Sequence, residues 1–164
     1  MTQIAVTERS DARLRIGLLS DTHGLLRPEV EAFLQGSDRI IHAGDICDAG
    51  IIEQLERIAP VSVVRGNNDV GAWAESLNET ELVRVGGIDI YVIHNVAELD
   101  LWRVPSSVKV IVFGHSHKPV AERRGDVLYV NPGSAGPRRF KLPISAAELV
   151  IENGEVAVRF QQFA

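Results

Sequence analysis

Cysteine is almost missing from this chain: Cys47 is the only one among 164 residues. No internal disulfide can form, which suits a reducing cytosol. Other absences narrow the field as much. No block of like charges occurs, and a formal net charge of -5 with a pI near 5.5 argues against a long nucleic-acid partner. A small nucleotide stays open as a substrate. No apolar run approaches the length of a membrane span. Residues 1–9 lack the apolar core of a signal peptide. No internal repeat or low-complexity tract is found. These absences together point to a cytoplasmic protein with no membrane partner.

What is present is ordinary in amount and unusual in placement. Apolar residues make up 45% and charged residues 24%, the balance of a globular protein. A chain of 164 residues fits one domain and buries roughly 70% of its extended surface. Residues 1–14 are polar and aperiodic and read as a flexible leader. Residues 15–164 read as a single domain. Apolar runs at 15–20, 39–44 and 61–64 predict strands, separated by helices from Pro28 and over 49–58. This β-α-β-α-β opening predicts parallel pairing with right-handed crossovers. Hairpin signals follow at Gly86-Gly87 and Asn153-Gly154, with a short helix over 97–104 and strands at 108–113, 119–124 and 126–130. The class is α/β with a mixed sheet.

The stretch from Ile40 to Asp48 carries the first chemical signal. Two β-branched residues run through Ala43-Gly44 into Asp45, which places a carboxylate at the open end of a parallel strand, where α/β sheets bind ligands. Other strand ends repeat the pattern: Asp21 and His23, Asn67, His94, and His115 with His117. Four of the five histidines fall in this set. Asp21-x-His23 and His115-x-His117 are i, i+2 pairs, so extended backbone would point both members to one side, about 6.5 Å apart. Seven ligands exceed one open catalytic site and suit two ions sharing a carboxylate, with Asp45 the central candidate. Imidazole, carboxylate and amide without thiolate favour Mn²⁺, Fe or Zn²⁺ over calcium or an iron–sulfur cluster. His42, facing away from Asp45 by alternation, reads as structural or as a support behind the ligands. Asp48 reads as a helix cap, Asp69 as a cap or a ligand-orienting group, and Cys47 as a small buried filler.

Asp-x-His, Gly-Asp-x-x-Asp, Gly-Asn-Asn-Asp, a strand-end histidine at 94 and Gly-His-Ser-His, in this order, resemble the calcineurin-like metallophosphoesterase superfamily. With Asn131-Pro132-Gly133-Ser134, the set resembles its small YfcE/MJ0936-type phosphodiesterase branch over about residues 15–162. The resemblance implies a four-layer αββα sandwich of two mixed β-sheets flanked by helices. It implies that Asp21, His23, Asp45 and His117 hold one metal and that Asp45, Asn67, His94 and His115 hold the other. The implied cofactors are two divalent ions, Mn²⁺ first, with Fe, Zn²⁺ or Ni²⁺ as alternatives. The implied chemistry is hydrolysis of a small phosphate ester, most simply a diester, by a metal-bridging hydroxide.

Two departures stand out. Many relatives carry a histidine after the ligand asparagine; here it is Asn68, which cannot act as an acid but can hydrogen-bond a phosphate oxygen. The histidine at 94 is followed by Asn95 rather than glycine, and asparagine tolerates the left-handed backbone that glycine would take there. Asn68, Ser134 and Arg138 are the candidates for holding the phosphate, Arg138 through its guanidinium. Trp73 and Trp102 read as packing the domain or a homo-oligomer interface. The alternatives are a non-catalytic protein-binding scaffold of the retromer-subunit type, or a phosphomonoesterase or nuclease on the same site. A scaffold permits loss of ligands, and all seven positions are filled here.

Overall fold

The computed structural model describes residues 13–164. The leader expected over residues 1–14 therefore lies almost wholly outside the described residues, and strand β1 already begins at Leu14. Among the described residues, ten strands form two five-stranded mixed sheets. In the first, β1 (Leu14–Leu19), β2 (Arg39–His42) and β3 (Val61–Val63) are parallel, and β9 (Ile144–Glu152) with β10 (Glu155–Phe163) extend it antiparallel. In the second, β5 (Ile88–Ile93), β6 (Val108–Val112) and β8 (Val127–Asn131) are parallel. Strands β4 (Thr80–Val85) and β7 (Val120–Arg124) close its edges antiparallel.

Alternation along the strands builds the layers. Ile16, Leu18, Ile41, Ala147 and Leu149 meet Ile90, Val92, Val110, Val112 and Val130 to form the core between the sheets. The opposite faces are apolar too, because each sheet is covered on its outside. Leu19 and Ile40 pack against Val30 and Leu34 of helix α1 (Pro28–Leu34) and Ile51 and Leu55 of helix α2 (Ala49–Glu56). Tyr91, Ile93, Ile111 and Phe113 face the other way. Burial on both faces is why these strands read as continuous apolar runs. Each fully buried Leu or Ile contributes about 1.5–3 kcal/mol. Among the described residues, no helix is long and apolar enough to cross a membrane.

Local chemistry sets the element ends. Pro28 opens α1 at its first turn. Asp48 caps α2 by accepting the Gly50 N–H at 2.9 Å. The helix expected over 97–104 is instead two 3₁₀ turns, Val96–Glu98 and Leu101–Arg103. Asn95 accepts from the Ala97 N–H and Asp100 from the Trp102 N–H, so the chain starts twice where one helix was expected. The fourth layer is therefore thin. A four-residue helix α3 (Ala72–Glu75), too short to leave a periodic pattern, follows β3. Trp73 packs with the helical layer as expected, but Trp102 is 98% exposed and packs into no core among the described residues.

Glu148 anchors the outer face of the first sheet. It is 4% exposed and pairs with Arg15 of β1 and, at 2.9 Å, with Arg159 of β10. Arg15 also donates to the carbonyls of Phe33 and Gln35, groups left over at the end of α1. Replacing Glu148 by alanine leaves a half-buried guanidinium without its counter-charge. The expected loss is about 3 kcal/mol in urea unfolding with an unchanged m-value. A loss below about 1 kcal/mol would show that the network holds nothing together.

Candidate metal centre

All five parallel strands that carry expected ligands end at one edge of the sandwich. Asp21 and His23 follow β1, Asp45 follows β2, Asn67 follows β3, His94 follows β5, and His115 and His117 follow β6. The backbone there is not extended. Asp21, His23, Asp45, His115 and His117 have φ of 56°, 46°, 57°, 71° and 63°. Left-handed backbone costs a non-glycine residue roughly 1–2 kcal/mol, and such positions concentrate at functional sites. The left-handed turns let the β1–β2 ladder continue past the strands. Asp21 N–H donates to Gly44 O at 2.9 Å, His23 N–H to Asp45 O at 3.0 Å and Gly24 N–H to Ile46 O at 2.9 Å. Asn95, by contrast, is extended at φ -111°, because its side chain caps a 3₁₀ turn instead of forming the left-handed turn its type allows.

The structure brings the seven side chains together. Asp21 Oδ1 lies 3.7 Å from His23 Nε2, 3.4 Å from His117 Nε2 and 3.9 Å from His94 Nε2. Asp45 Oδ2 lies 3.5 Å from His23 Nε2 and 3.4 Å from His94 Nε2, so it stands between the two halves of the cluster. His115 Nδ1 is 3.2 Å from Asn67 Oδ1 and 3.4 Å from His94 Nε2. The two i, i+2 pairs thus behave differently. Asp21 and His23 converge, whereas His117 joins Asp21 and His115 turns to Asn67 and His94.

The donor set fits cations. Two three-residue groups, Asp21-His23-His117 and Asp21-Asp45-His94, each bring their ligand atoms within 4.8 Å of one another. Asp21 Oδ1 and His23 Nε2 are buried, and neither has a hydrogen-bond partner among the described residues. Separations of 3.4–3.9 Å are long for hydrogen bonds. Two ligands each about 2.1 Å from a shared ion in a tetrahedral arrangement sit about 3.4 Å apart.

Surrounding groups lock this geometry. Asp69, 1% exposed, accepts from the backbone N–H of Asp45 at 3.0 Å, Gly66 at 2.7 Å and Cys47 at 2.8 Å, so it orients the ligand loop. Asp21 Oδ2 accepts from the Ser20 hydroxyl at 2.6 Å and the His115 N–H at 3.0 Å. His94 Nδ1, 2.7 Å from the Ala43 carbonyl, is assigned as the N–H donor, which turns Nε2 toward the carboxylates. A Cβ at Gly66 would overlap the Asp45 amide and carboxylate, and one at Gly114 would overlap the Ser20 hydroxyl.

The residues expected to hold phosphate are placed unequally. Asn68 is exposed and grips Asp45, its backbone N–H donating to Oδ1 and its side-chain amide to Oδ2, both at 2.9 Å. Ser134 is a correction: it is 3% exposed and its hydroxyl donates to the Asp21 carbonyl at 3.0 Å, so it braces the loop from beneath. Arg138 is exposed on the following loop and makes no hydrogen bond or ion pair with another described residue. Cys47 is also no buried filler. It is partly exposed, left-handed at φ 67°, and its Sγ lies 3.7 Å from His23 Nδ1. Burial and the Asp69 carboxylate push its thiol up to about 11, so it is a neutral contact.

Electrostatics follow from this crowding. Burial works to raise the Asp21 carboxyl, but the facing His117 and His23 imidazoles and the Ser20 hydroxyl outweigh it and hold it well below the usual range. Burial likewise opposes ionisation of Asp45, yet His94 and Asn68 bring it down to about 2. For His94, burial disfavours the charge, and the Asp45 and Asp21 carboxylates raise it above its ordinary value regardless. His42 is completely buried beneath these loops. Its Nδ1 accepts the Gly44 N–H at 3.1 Å, so Nε2 carries the proton and donates to Thr22 Oγ1 at 3.0 Å. Burial lowers its pKa to about 3.

The comparisons with known proteins agree with this geometry. Residues 14–154 match the family described as the calcineurin-like phosphoesterase superfamily domain. A probable metallophosphoesterase of Methanothermobacter thermautotrophicus is 35% identical over 131 residues, covering 73% of this chain and 76% of that one. A phosphodiesterase of Methanocaldococcus jannaschii is 28% identical over 138 residues, covering 73% and 83%. The structure of vacuolar protein sorting 29 from Cryptosporidium parvum superposes with a TM-score of 0.75 at 20% identity. That match covers 94% of this chain and all of the other, and shows the fold alone.

His42 makes a prediction about acid stability. The unfolded histidine binds a proton below its ordinary value of 6.5, the folded one only near 3. The unfolded state thus holds more protons between those values, and stability falls as pH drops through that window, by up to about 1.4 kcal/mol per pH unit. Other groups contribute to the slope over the same range, so the contribution of this imidazole is the difference between the wild type and a variant that lacks it. Urea unfolding of metal-free protein is expected to show that slope in the wild type and a flatter one in His42→Gln. Equal slopes would contradict the neutral buried imidazole.

Proposed function

The chain belongs to the calcineurin-like phosphoesterase superfamily and is a phosphoesterase hydrolase, and on that footing we propose a dinuclear metal-dependent phosphodiesterase acting on small phosphate esters. The observation that carries the proposal is the meeting of two buried carboxylates, four imidazoles and one amide at a single sheet edge, with Asp21 Oδ1 and His23 Nε2 otherwise unpartnered. Asp21, His23, Asp45 and His117 would hold one cation; Asp45, Asn67, His94 and His115 would hold the other. Mn²⁺ suits the imidazole–carboxylate–amide set, as do Fe, Zn²⁺ and Ni²⁺. Divalent cations supply Lewis acidity, drawing the pKa of water toward neutrality and offsetting charge that builds on the phosphoryl group.

The chain's own residues do the positioning. Asp69 holds the Asp45 backbone N–H while Asn68 grips the Asp45 carboxylate, and the Ala43 carbonyl fixes the tautomer of His94. Asn68 spends one amide hydrogen on Asp45 and keeps a second for a phosphoryl oxygen. It cannot protonate a leaving group, so the proposal favours esters whose alcohols leave as stable anions. Arg138, free on its exposed loop, is assigned to the outer phosphoryl oxygens. The reading extends to one domain over residues 15–164 working in the cytoplasm, and its support there is the single cysteine and the acidic balance. The filled ligand set argues against the scaffold alternative, since a scaffold has no need of it.

Removing metal with a chelator is expected to cut bis(p-nitrophenyl) phosphate hydrolysis by at least about a hundredfold, with Mn²⁺ restoring it. Asp45→Asn is expected to stay inactive with Mn²⁺ present. Undiminished hydrolysis by verified metal-free protein, or no hydrolysis of any mono- or diester with any of the four metals, would defeat the proposal.

A further inference from the structure

Asn67, His94 and His115 line a cleft of about 560 Å³ that the metal centre itself does not explain. A space of that size accepts a small organic group. Its other walls come from places with no motif: Arg65 after β3, Glu79 before β4, Tyr91 in β5, and Glu98 and Arg103 from the two 3₁₀ turns.

The chemistry of those walls is specific. Tyr91 is only 7% exposed and lines the cleft, and its hydroxyl makes no hydrogen bond with another described residue. A hydroxyl without a protein partner on a residue that lines a cleft is a hydrogen-bonding position for whatever enters. Arg65 donates through Nε to the Asp69 carbonyl at 3.2 Å, which holds its guanidinium in place with other N–H groups to spare. Arg103 is matched by Asp100 at 3.6 Å. The side chains of Glu79 and Glu98 make no ion pair or hydrogen bond with described residues, so two carboxylates remain uncommitted.

Resting on the phosphodiesterase reading, we propose that this cleft holds one alcohol arm of the ester and that the arm is a neutral polyol, of the glycerol or sugar class. Hydroxyl groups both donate and accept, so one polyol satisfies Glu79 and Glu98 as acceptors and Arg65 as a donor, while Tyr91 supplies a ring face and a hydroxyl. A second phosphate would face two free carboxylates. An amine-bearing arm would answer the carboxylates but set like charge against Arg65. An acyl chain would cover all of these groups without bonding any of them.

The test uses the Mn²⁺-loaded enzyme and diesters that share a p-nitrophenyl leaving group but carry a methyl, glycerol, glucosyl, choline or phosphorylated ribosyl arm. Glycerol and glucosyl arms are expected to raise kcat/KM about tenfold over methyl. Tyr91→Phe and Glu98→Gln are each expected to raise KM for those arms about fivefold, the size of one hydrogen bond, with smaller effects on kcat and on the methyl ester. Titration calorimetry with glycerol 3-phosphate against inorganic phosphate reads the same preference without turnover. Equal kcat/KM across the arms, or preference for the choline or phosphorylated arm, overturns the assignment. If no ester is hydrolysed, the phosphodiesterase reading falls. In that case tighter binding of glycerol 3-phosphate, lost in Glu98→Gln, still supports the cleft assignment, and equal binding overturns it.

Discussion

Two carboxylates buried side by side, Asp21 and Asp45, are the constraint to which the surrounding structure answers. Like charges in a poorly solvated place are costly unless donors and counter-charges surround them. Here each is held by hydroxyl, amide or backbone N–H donors on one side and faces imidazoles on the other. A third buried carboxylate, Asp69, is spent entirely on backbone N–H groups of the same loops. The arrangement keeps Asp21 and Asp45 ionised and leaves one oxygen of Asp21 unpartnered among the described residues. That is the electrostatic setting a divalent cation completes.

The fold serves this constraint by bringing two sheets to a common edge. Parallel β1, β2 and β3 of one sheet and β5 and β6 of the other deliver their candidate ligands there. The strand interiors are buried on both faces, so the strands stay rigid while the strained turns sit at their ends. Left-handed backbone at five of the candidate ligands is a stability cost carried by that packing, a division of labour common where geometry matters more than stability.

Much of this was legible in the sequence, for a physical reason. A metal ligand directly after an apolar run is visible because the run fixes the strand and the fold fixes where strands end. The meeting of seven candidate ligands at one edge and the Asp48 cap follow from that, while the division into two sheets is carried only by the family resemblance. Backbone handedness does not follow, since Asp21 and His117 give no sign of φ from spacing alone, and the i, i+2 argument assumed extended chain where the turns are left-handed. Ser134 looked like a phosphate contact because small polar residues in glycine-bearing loops often are, but burial commits its hydroxyl to Asp21. The 97–104 segment was misjudged because Asn95 and Asp100 each restart the chain. The cleft walls were beyond reach, since Arg65, Tyr91 and Glu98 meet only through tertiary structure.

The central claim is that one cradle holds a close pair of cations with Asp45 common to both. Anomalous diffraction from crystals grown with Mn²⁺ tests it most directly. The account predicts two peaks about 3.5–4 Å apart, both within bonding distance of the Asp45 carboxylate. A single peak, or two peaks that do not share Asp45, would contradict it.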